Sequence, residues 1–247
     1  MALAGVLGAL IGSFLNVVIH RVPRRESLSR PRSRCSDCGA QIAWYDNVPV
    51  LSWLLLRGRC RRCGARISPR YPLVELLTAL AFAAVVLVNG FDDDLILELP
   101  FVAALIALAG IDYDHKLLPN RIVYPLAAYG LIATVLVDRD DLLEHVAAGA
   151  GAFLFLLAAV IAYPRGMGMG DVKLAGAIGL FLGLSVIPAL LVAFLTGSVV
   201  GLAILAREGA AGRKKAIPFG VFLALGGIVA VLAGPELIDL YESNFLE

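Results

Sequence analysis

Seven uncharged apolar runs, at residues 2–19, 76–91, 99–111, 122–137, 146–164, 174–206 and 216–235, leave this chain few ways to fold in water. A helix needs about 20 apolar residues to cross the ~30 Å hydrocarbon core of a bilayer, and several runs approach that length. Composition points the same way. The 247 residues are 60% hydrophobic and 17% charged, with a mean hydropathy of +0.84. An ordinary soluble domain is roughly 45–50% apolar, and one of this size has too little interior to hide the excess. The net charge of +1 gives no bulk attraction to nucleic acid, so no nucleic-acid partner is expected. Disorder and collagen-like repeats are excluded by the same numbers. The expected fold class is an all-α polytopic membrane protein with the lipid bilayer as its surroundings.

The sixth run has 33 residues. At about 1.5 Å per residue it reaches ~50 Å, too long for one crossing. A break between Gly183 and Pro188 would divide it into two short helices, making eight spans. Basic residues then set the orientation. Between spans one and two, residues 21–72 carry 12 arginines against Glu26, Asp37 and Asp46, a net of +9. With that loop on the cytoplasmic side, alternation places every Lys and Arg except Arg139 in cytoplasmic segments, including Lys116, Arg121, Arg165, Lys173, Arg207, Arg213, Lys214 and Lys215. Asp92, Asp93, Asp94, Glu98, Asp138, Asp140, Asp141, Glu144 and the acidic tail 236–247 fall outside, with both termini. A miscounted helix would scramble this segregation. The first run lacks a basic segment before it and has its positive charges after it, so it reads as a retained anchor with its N-terminus out. By content the chain divides into residues 1–72, the first span plus the basic loop, and residues 73–247, a seven-helix membrane part.

All four cysteines lie in the basic loop, as Cys35-Ser36-Asp37-Cys38, 21 intervening residues, and Cys60-Arg61-Arg62-Cys63. Two such pairs supply four thiolates to a tetrahedral Zn²⁺. Gly39 and Gly64 follow each pair, where a turn around a metal would need positive φ. Two disulfides are the competing reading, which a reducing cytoplasmic location opposes. A closed Cys₄ site is structural, and metal binding would help fold a loop of about 50 residues with little core of its own.

Ionisable groups at membrane depth are costly and mark function. Asp112 closes the third run and Asp171 precedes the sixth, in Gly168-Met169-Gly170-Asp171. Two carboxylates that approach closely share a proton, so one activates water while the other polarises a carbonyl, as in aspartic proteases. The glycines would let a substrate backbone lie near Asp171. The plainer alternatives are a helix cap for Asp171 and an interfacial residue near Lys116 for Asp112. Asp114, two residues along a helix, would point about 200° away from Asp112. His20 and His115 have no metal-spaced partner and read as interfacial polar residues.

The stretch 12–21, the paired cysteine motifs, residues 67–78, the stretch 111–120 and the GxGD motif at 168–171 occur in series. Together they resemble the type IV prepilin peptidases, membrane enzymes that process pilin and type II secretion pseudopilin precursors. The resemblance runs from residue 12 to about 180. It implies that Asp112, seven residues before Pro119, and Asp171 are the catalytic pair. It further implies cleavage of a leader after a glycine on the cytoplasmic side of the cell membrane. Members with the cysteine-bearing region also methylate the new N-terminal residue with S-adenosylmethionine, so this second activity and cofactor are implied too, with prepilin or pseudopilin precursors as partners. Glu75, a lone carboxylate opening span two, is the first residue to inspect for the methyl transfer, with a salt bridge to Arg70 as the alternative. Cys35-Ser36 replaces the common Cys-Pro, and Asn120 stands where many members have Asp. Rival functions are a GxGD intramembrane protease with unrelated substrates, a proton- or ion-coupled transporter using the same aspartates, and a scaffold recruiting partners through the cysteine loop.

Overall fold

The computed structural model describes residues 1–91, 94–137, 139–163, 167–209 and 216–245. Asp92, Asp93, Asp138, Arg165, Arg213, Lys214, Lys215 and Glu247, all used in the charge argument, lie outside the described residues. The described chain is helical, with no strand beyond two isolated antiparallel bridges, Arg34 with Gln41 and Arg59 with Arg66. It falls into two compact units, residues 1–95 and 96–247. The first unit holds α1 (Ala2–Arg21), a 3₁₀ turn (Trp44–Asn47), α2 (Leu51–Leu55) and α3 (Arg70–Asn89). The second holds α4 (Leu95–His115, beginning at the boundary), α5 (Asn120–Val137), α6 (Leu142–Ala162), α7 (Met169–Leu182), α8 (Val186–Glu208) and α9 (Phe219–Phe245).

Seven apolar helical stretches among the described residues are long enough to span a bilayer, the sixth being the 40-residue stretch Met169–Glu208. That stretch breaks where its excess length requires, in a 3₁₀ turn at Gly183–Ser185. Gly183 has φ +56°, and a Cβ there would lie 2.8 Å from Glu144 Oε1 and 3.0 Å from His145 Nε2. Glu144 also accepts a hydrogen bond from the Leu184 N–H at 3.1 Å. Only glycine combines the left-handed backbone with that close cover from α6.

Helix α4 begins four residues before the apolar run does and continues through Pro100. Proline removes the N–H that would bond to Ile96 O, the usual reason to end a helix. Here the Tyr129 hydroxyl, on α5, donates to Ile96 O (3.1 Å) and Leu97 O (2.9 Å). A tertiary donor replaces the missing local one, which no reading of α4 alone reveals. At the other end of the chain, α9 kinks at Ala233 (φ −148°), two residues before Pro235, and resumes into the acidic tail.

Lipid gives helices no hydrophobic reason to associate, so close packing carries the contacts. In the first unit, Gly8 and Gly12 press α1 onto α3. A Cβ on Gly8 would lie 2.7 Å from Thr78 O, and one on Gly12 would lie 2.7 Å from the Glu75 Cα. In the second unit, Gly179 on α7 meets the Gly149 backbone on α6 in the same way. Gly5, by contrast, faces Ala79 O at 3.9 Å, an ordinary contact. Gly8→Ala and Gly12→Ala are therefore expected to destabilise the protein by about 1–3 kcal/mol through overpacking. Gly5→Ala should be neutral or slightly stabilising. Thermal unfolding in detergent checks this, and equal stability of all three variants would contradict the packing.

Candidate functional site

Asp112 lies in the last turn of α4 and is 5% exposed, whereas Asp114 is exposed, as the helical phase requires. The helix stops because Lys116 adopts φ +51° while its N–H still reaches Asp112 O at 2.8 Å. The chain then turns through Leu118, which is buried, before α5 begins at Asn120. Asp171 is the third residue of α7 and is 8% exposed. It caps its own helix. The Gly168 N–H donates to Asp171 Oδ2 at 3.0 Å, and the Asp171 N–H donates to Gly168 O at 3.1 Å.

Capping does not remove Asp171 from the site. Asp112 and Asp171 both line one cavity of about 370 Å³, with Lys116, Leu118, Asn120 and Gly168 among its other walls. The two carboxylates are near enough to act on each other electrostatically. On the rim, Lys173 Nζ donates to Asn120 Oδ1 at 3.2 Å and stands 5.2 Å from the centre of the Tyr124 ring. His115 is exposed and forms no wall of the cavity.

Residues without a role in the sequence reading pack against the Asp112 carboxyl. The Asp112 carboxyl faces the backbone N–H groups of Gly220 and Val221, at the start of α9. Its Oδ2 is buried and, among the described residues, has no hydrogen-bond partner within normal geometry. The positive end of a helix favours a carboxylate without needing a side-chain partner. A Cβ on Gly220 would lie 2.8 Å from Asp112 Oδ2 and 3.0 Å from the Leu118 side chain. Leu118 also covers Gly170, where a Cβ would lie 3.0 Å from its own Cβ. The side of Gly170 that a side chain would occupy is thus filled by Leu118, while the residue itself lines the cavity. Gly168 is less crowded: among the described residues, a Cβ there would meet nothing nearer than Asp171 Oδ2, at an ordinary 3.5 Å. The signal for Gly220 lay in Pro218-Phe219-Gly220, turn chemistry at the head of the last apolar run.

The four cysteines converge in the first unit. All four Sγ atoms lie within 4.8 Å of one another, and Cys35 Sγ stands 3.8 Å from Cys63 Sγ. No disulfide joins them. A tetrahedral ion with ~2.3 Å metal–sulfur bonds has sulfur–sulfur edges of ~3.8 Å, so the spacing suits a metal. The two knuckles repeat one geometry. The Cys35 N–H bonds to Ala40 O (2.9 Å) and the Cys60 N–H to Ala65 O (2.8 Å), with Gly39 at φ +68° and Gly64 at φ +73° as expected. Backbone N–H groups of Cys63 and Arg62 lower the Cys60 thiol to about 7. The Ala65 N–H pulls the Cys63 thiol down, but hydrogen bonds with the Cys38, Cys60 and Cys35 thiols, together with desolvation, push it up to about 12. Cys60 is therefore the more readily ionised of these two thiols, and the cluster must lose further protons to hold an ion.

Arg61, between the second pair, makes a two-pronged contact with Asp46 at 2.7–3.0 Å, and its hydrogen bonds hold the Asp46 carboxyl below the usual range. Glu75 is buried, and its Oε2 accepts the Val50 N–H at 2.7 Å.

Comparison with known proteins adds to this geometry. Residues 6–89 match the bacterial peptidase A24 N-terminal domain, and residues 99–206 match the type IV leader peptidase family. A prepilin leader peptidase/N-methyltransferase of Aeromonas hydrophila is 38% identical, covering 99% of this chain and 94% of that protein. One of Pseudomonas putida is 38% identical over 99% of this chain and 93% of its own length. One of Myxococcus xanthus is 43% identical over 85% of this chain but 64% of its own length. No solved structure matches the chain.

The cysteine cluster has its own test. Adding Co²⁺ to metal-depleted protein should produce a thiolate-to-metal absorption band at one ion per chain, with proton release, and Cys60→Ser should weaken it. Metal affinity should fall as pH is lowered, because protons compete with the ion for the thiolates, and more steeply once the Cys60 thiolate takes its proton near 7. Absence of the band, or a band unchanged by the substitution, would contradict the site.

Proposed function

Because the chain belongs to the type IV leader peptidase family, we propose that Asp112 and Asp171 are the catalytic pair with which it removes the leader of prepilin and pseudopilin precursors. It is a membrane peptidase that also carries methyltransferase activity. The reading of the catalytic pair rests on one observation above the rest. Two buried carboxylates, 59 positions apart in a largely apolar chain, line the same cavity.

Hydrolysis follows from that arrangement. One carboxylate takes a proton from water, whose oxygen adds to the carbonyl carbon of the scissile bond. The other, protonated, hydrogen-bonds the carbonyl oxygen as charge develops there. The C–N bond then breaks, and the amine nitrogen leaves with a proton from the pair. The N–H groups at the start of α9 hold Asp112 in place, and Gly168 leaves the space beside Asp171 for the substrate backbone. The basic residues crowded at one end of the spans support a cytoplasmic cavity. That side faces the leader before the precursor crosses.

Zinc is the ion we assign to Cys35, Cys38, Cys60 and Cys63, where it would hold the two knuckles together and do no chemistry. S-adenosylmethionine, when bound, supplies an electrophilic methyl group for the new N-terminal amine. The first unit has a cavity of about 500 Å³ walled by Trp53, Arg57, Arg59 and Arg66, with no acidic side chain among its walls. Those guanidinium groups suit an anion better than a sulfonium, so no methyl transfer is assigned there.

Asp112→Asn and Asp171→Asn should each lower leader cleavage by at least ~100-fold, the low end for a positioned acid–base group. Intact-mass analysis of a prepilin incubated with each purified variant checks this. Methylation of a pre-cleaved substrate should survive in both variants. Normal cleavage by either would remove it from the pair. Gly220→Ala should also reduce cleavage, since its Cβ has no room beside Asp112, while leaving metal content unchanged. Full cleavage by this variant would show that the start of α9 does not hold the carboxylate.

A further inference from the structure

The segment from Trp44 to Gly58 has the apolar surface of a membrane-associated element but belongs to no spanning helix. Helix α2 turns its leucines outward. Leu51 is 59%, Leu54 57% and Leu55 82% exposed, while Ser52 is buried beneath them. Trp44 is 83% and Tyr45 53% exposed, their rings in edge contact at 5.7 Å. In a loop bathed in water this is the reverse of the usual pattern. The 3₁₀ turn and α2 form one small body, because Ser52 Oγ donates to Tyr45 O and accepts from the Val48 N–H, both at 3.0 Å.

Glu75 ties it to α3. Val50 occupies a tight turn with φ +61°, in which the Leu51 N–H reaches back to Pro49 O at 2.6 Å. A β-branched residue adopts that conformation only where its surroundings impose it. The Glu75 carboxylate supplies the constraint by accepting the Val50 N–H. Glu75 lies five residues beyond the first residue of α3, ~7.5 Å along the helix at 1.5 Å per residue, close to the basic end of an apolar helix long enough to span a bilayer. Amphipathic elements settle ~5–10 Å into the boundary between headgroups and acyl chains. The leucines and Trp44 are thus tethered near that layer. Basic groups border them. Arg57 follows α2 directly and lines a cavity with Arg59 and Arg66.

We propose that residues 44–58 form an interfacial anchor that lies on an anionic bilayer surface. Trp44, Leu51, Leu54 and Leu55 enter the boundary layer, and Arg57, Arg59 and Arg66 bind lipid phosphate. The occupant is lipid, on two grounds. The segment is tethered beside the membrane end of α3, and arginines flank its apolar ridge, the combination that anionic membranes attract. The anchor would also hold the cysteine cluster at the membrane surface, since Arg61 between Cys60 and Cys63 grips Asp46 in the same body.

The chain has two tryptophans, so full-length protein and its Trp44→Phe variant isolate the Trp44 emission by difference. Both are reconstituted, without substrate, in vesicles of phosphatidylcholine with or without phosphatidylglycerol. Part of the lipid is brominated near the top of its acyl chains. Lipid docking predicts blue-shifted Trp44 emission, quenching by about half with brominated lipid, and weak quenching by acrylamide. The lipid quenching should increase with phosphatidylglycerol and decrease in Leu55→Gln and in Arg57→Gln. Both residues are exposed, and unchanged metal content would confirm that each variant is folded. Red-shifted emission that acrylamide quenches freely and brominated lipid does not would overturn the proposal. Shielding that appears only after a prepilin is added would overturn it as well, and would assign the ridge to the substrate.

Discussion

Keeping a carboxylate out of water at the end of an apolar helix is the demand around which the second unit is arranged. Asp112 is 5% exposed, and one of its oxygens has no hydrogen-bond partner within normal geometry among the described residues. Such a group is expensive unless charge or dipole compensates it. The compensation comes from the first N–H groups of α9, which can approach only because position 220 has no side chain. Leu118 completes the packing by lying against both Gly170 and Gly220. Three segments far apart in sequence therefore meet around one carboxyl group, and the cavity shared with Asp171 is a consequence.

The first unit solves a different problem, that of ordering a long loop with little apolar interior. Four thiols, a two-pronged arginine–carboxylate contact and a buried glutamate do this in place of a core. The Asp46–Arg61 pair is partly exposed, with the Arg61 side chain 58% accessible. By itself such a pair contributes little, because water screens it. Its value is geometric, since it joins the second cysteine knuckle to the 3₁₀ turn. Glu75 belongs to the same scheme. Its hydrogen bond to the Val50 N–H gives it a clear structural duty, in addition to any part it takes in methyl transfer.

The glycines show how limited a motif can be as a guide to geometry. The GxGD pattern suggests two open positions beside Asp171, yet a side chain at Gly170 would run into Leu118, while one at Gly168 would make only ordinary contacts among the described residues. Likewise Gly8 and Gly12 read only as part of an apolar run until α3 is placed against them. A glycine's conformational freedom can be read locally, but what occupies the space beside it depends on another segment.

Much of the architecture was legible along the chain. Apolar runs set the helices because unpaired backbone groups cannot be left in lipid, and 33 uncharged residues had to break because one crossing needs fewer. The cysteine spacing determined a four-thiolate cluster, since each Cys-x-x-Cys pair is a local turn that carries its own geometry. Helical phase separated Asp112 from Asp114 for the same local reason. Tertiary structure alone decided the rest. Helix α4 runs through Pro100 because a hydroxyl from α5 serves the carbonyl the proline leaves bare. Gly220 matters because α9 begins against Asp112, and the turn before α2 is tied to α3 because Glu75 reaches the Val50 N–H. Each of these depends on atoms brought together from distant positions, and only the folded chain places them.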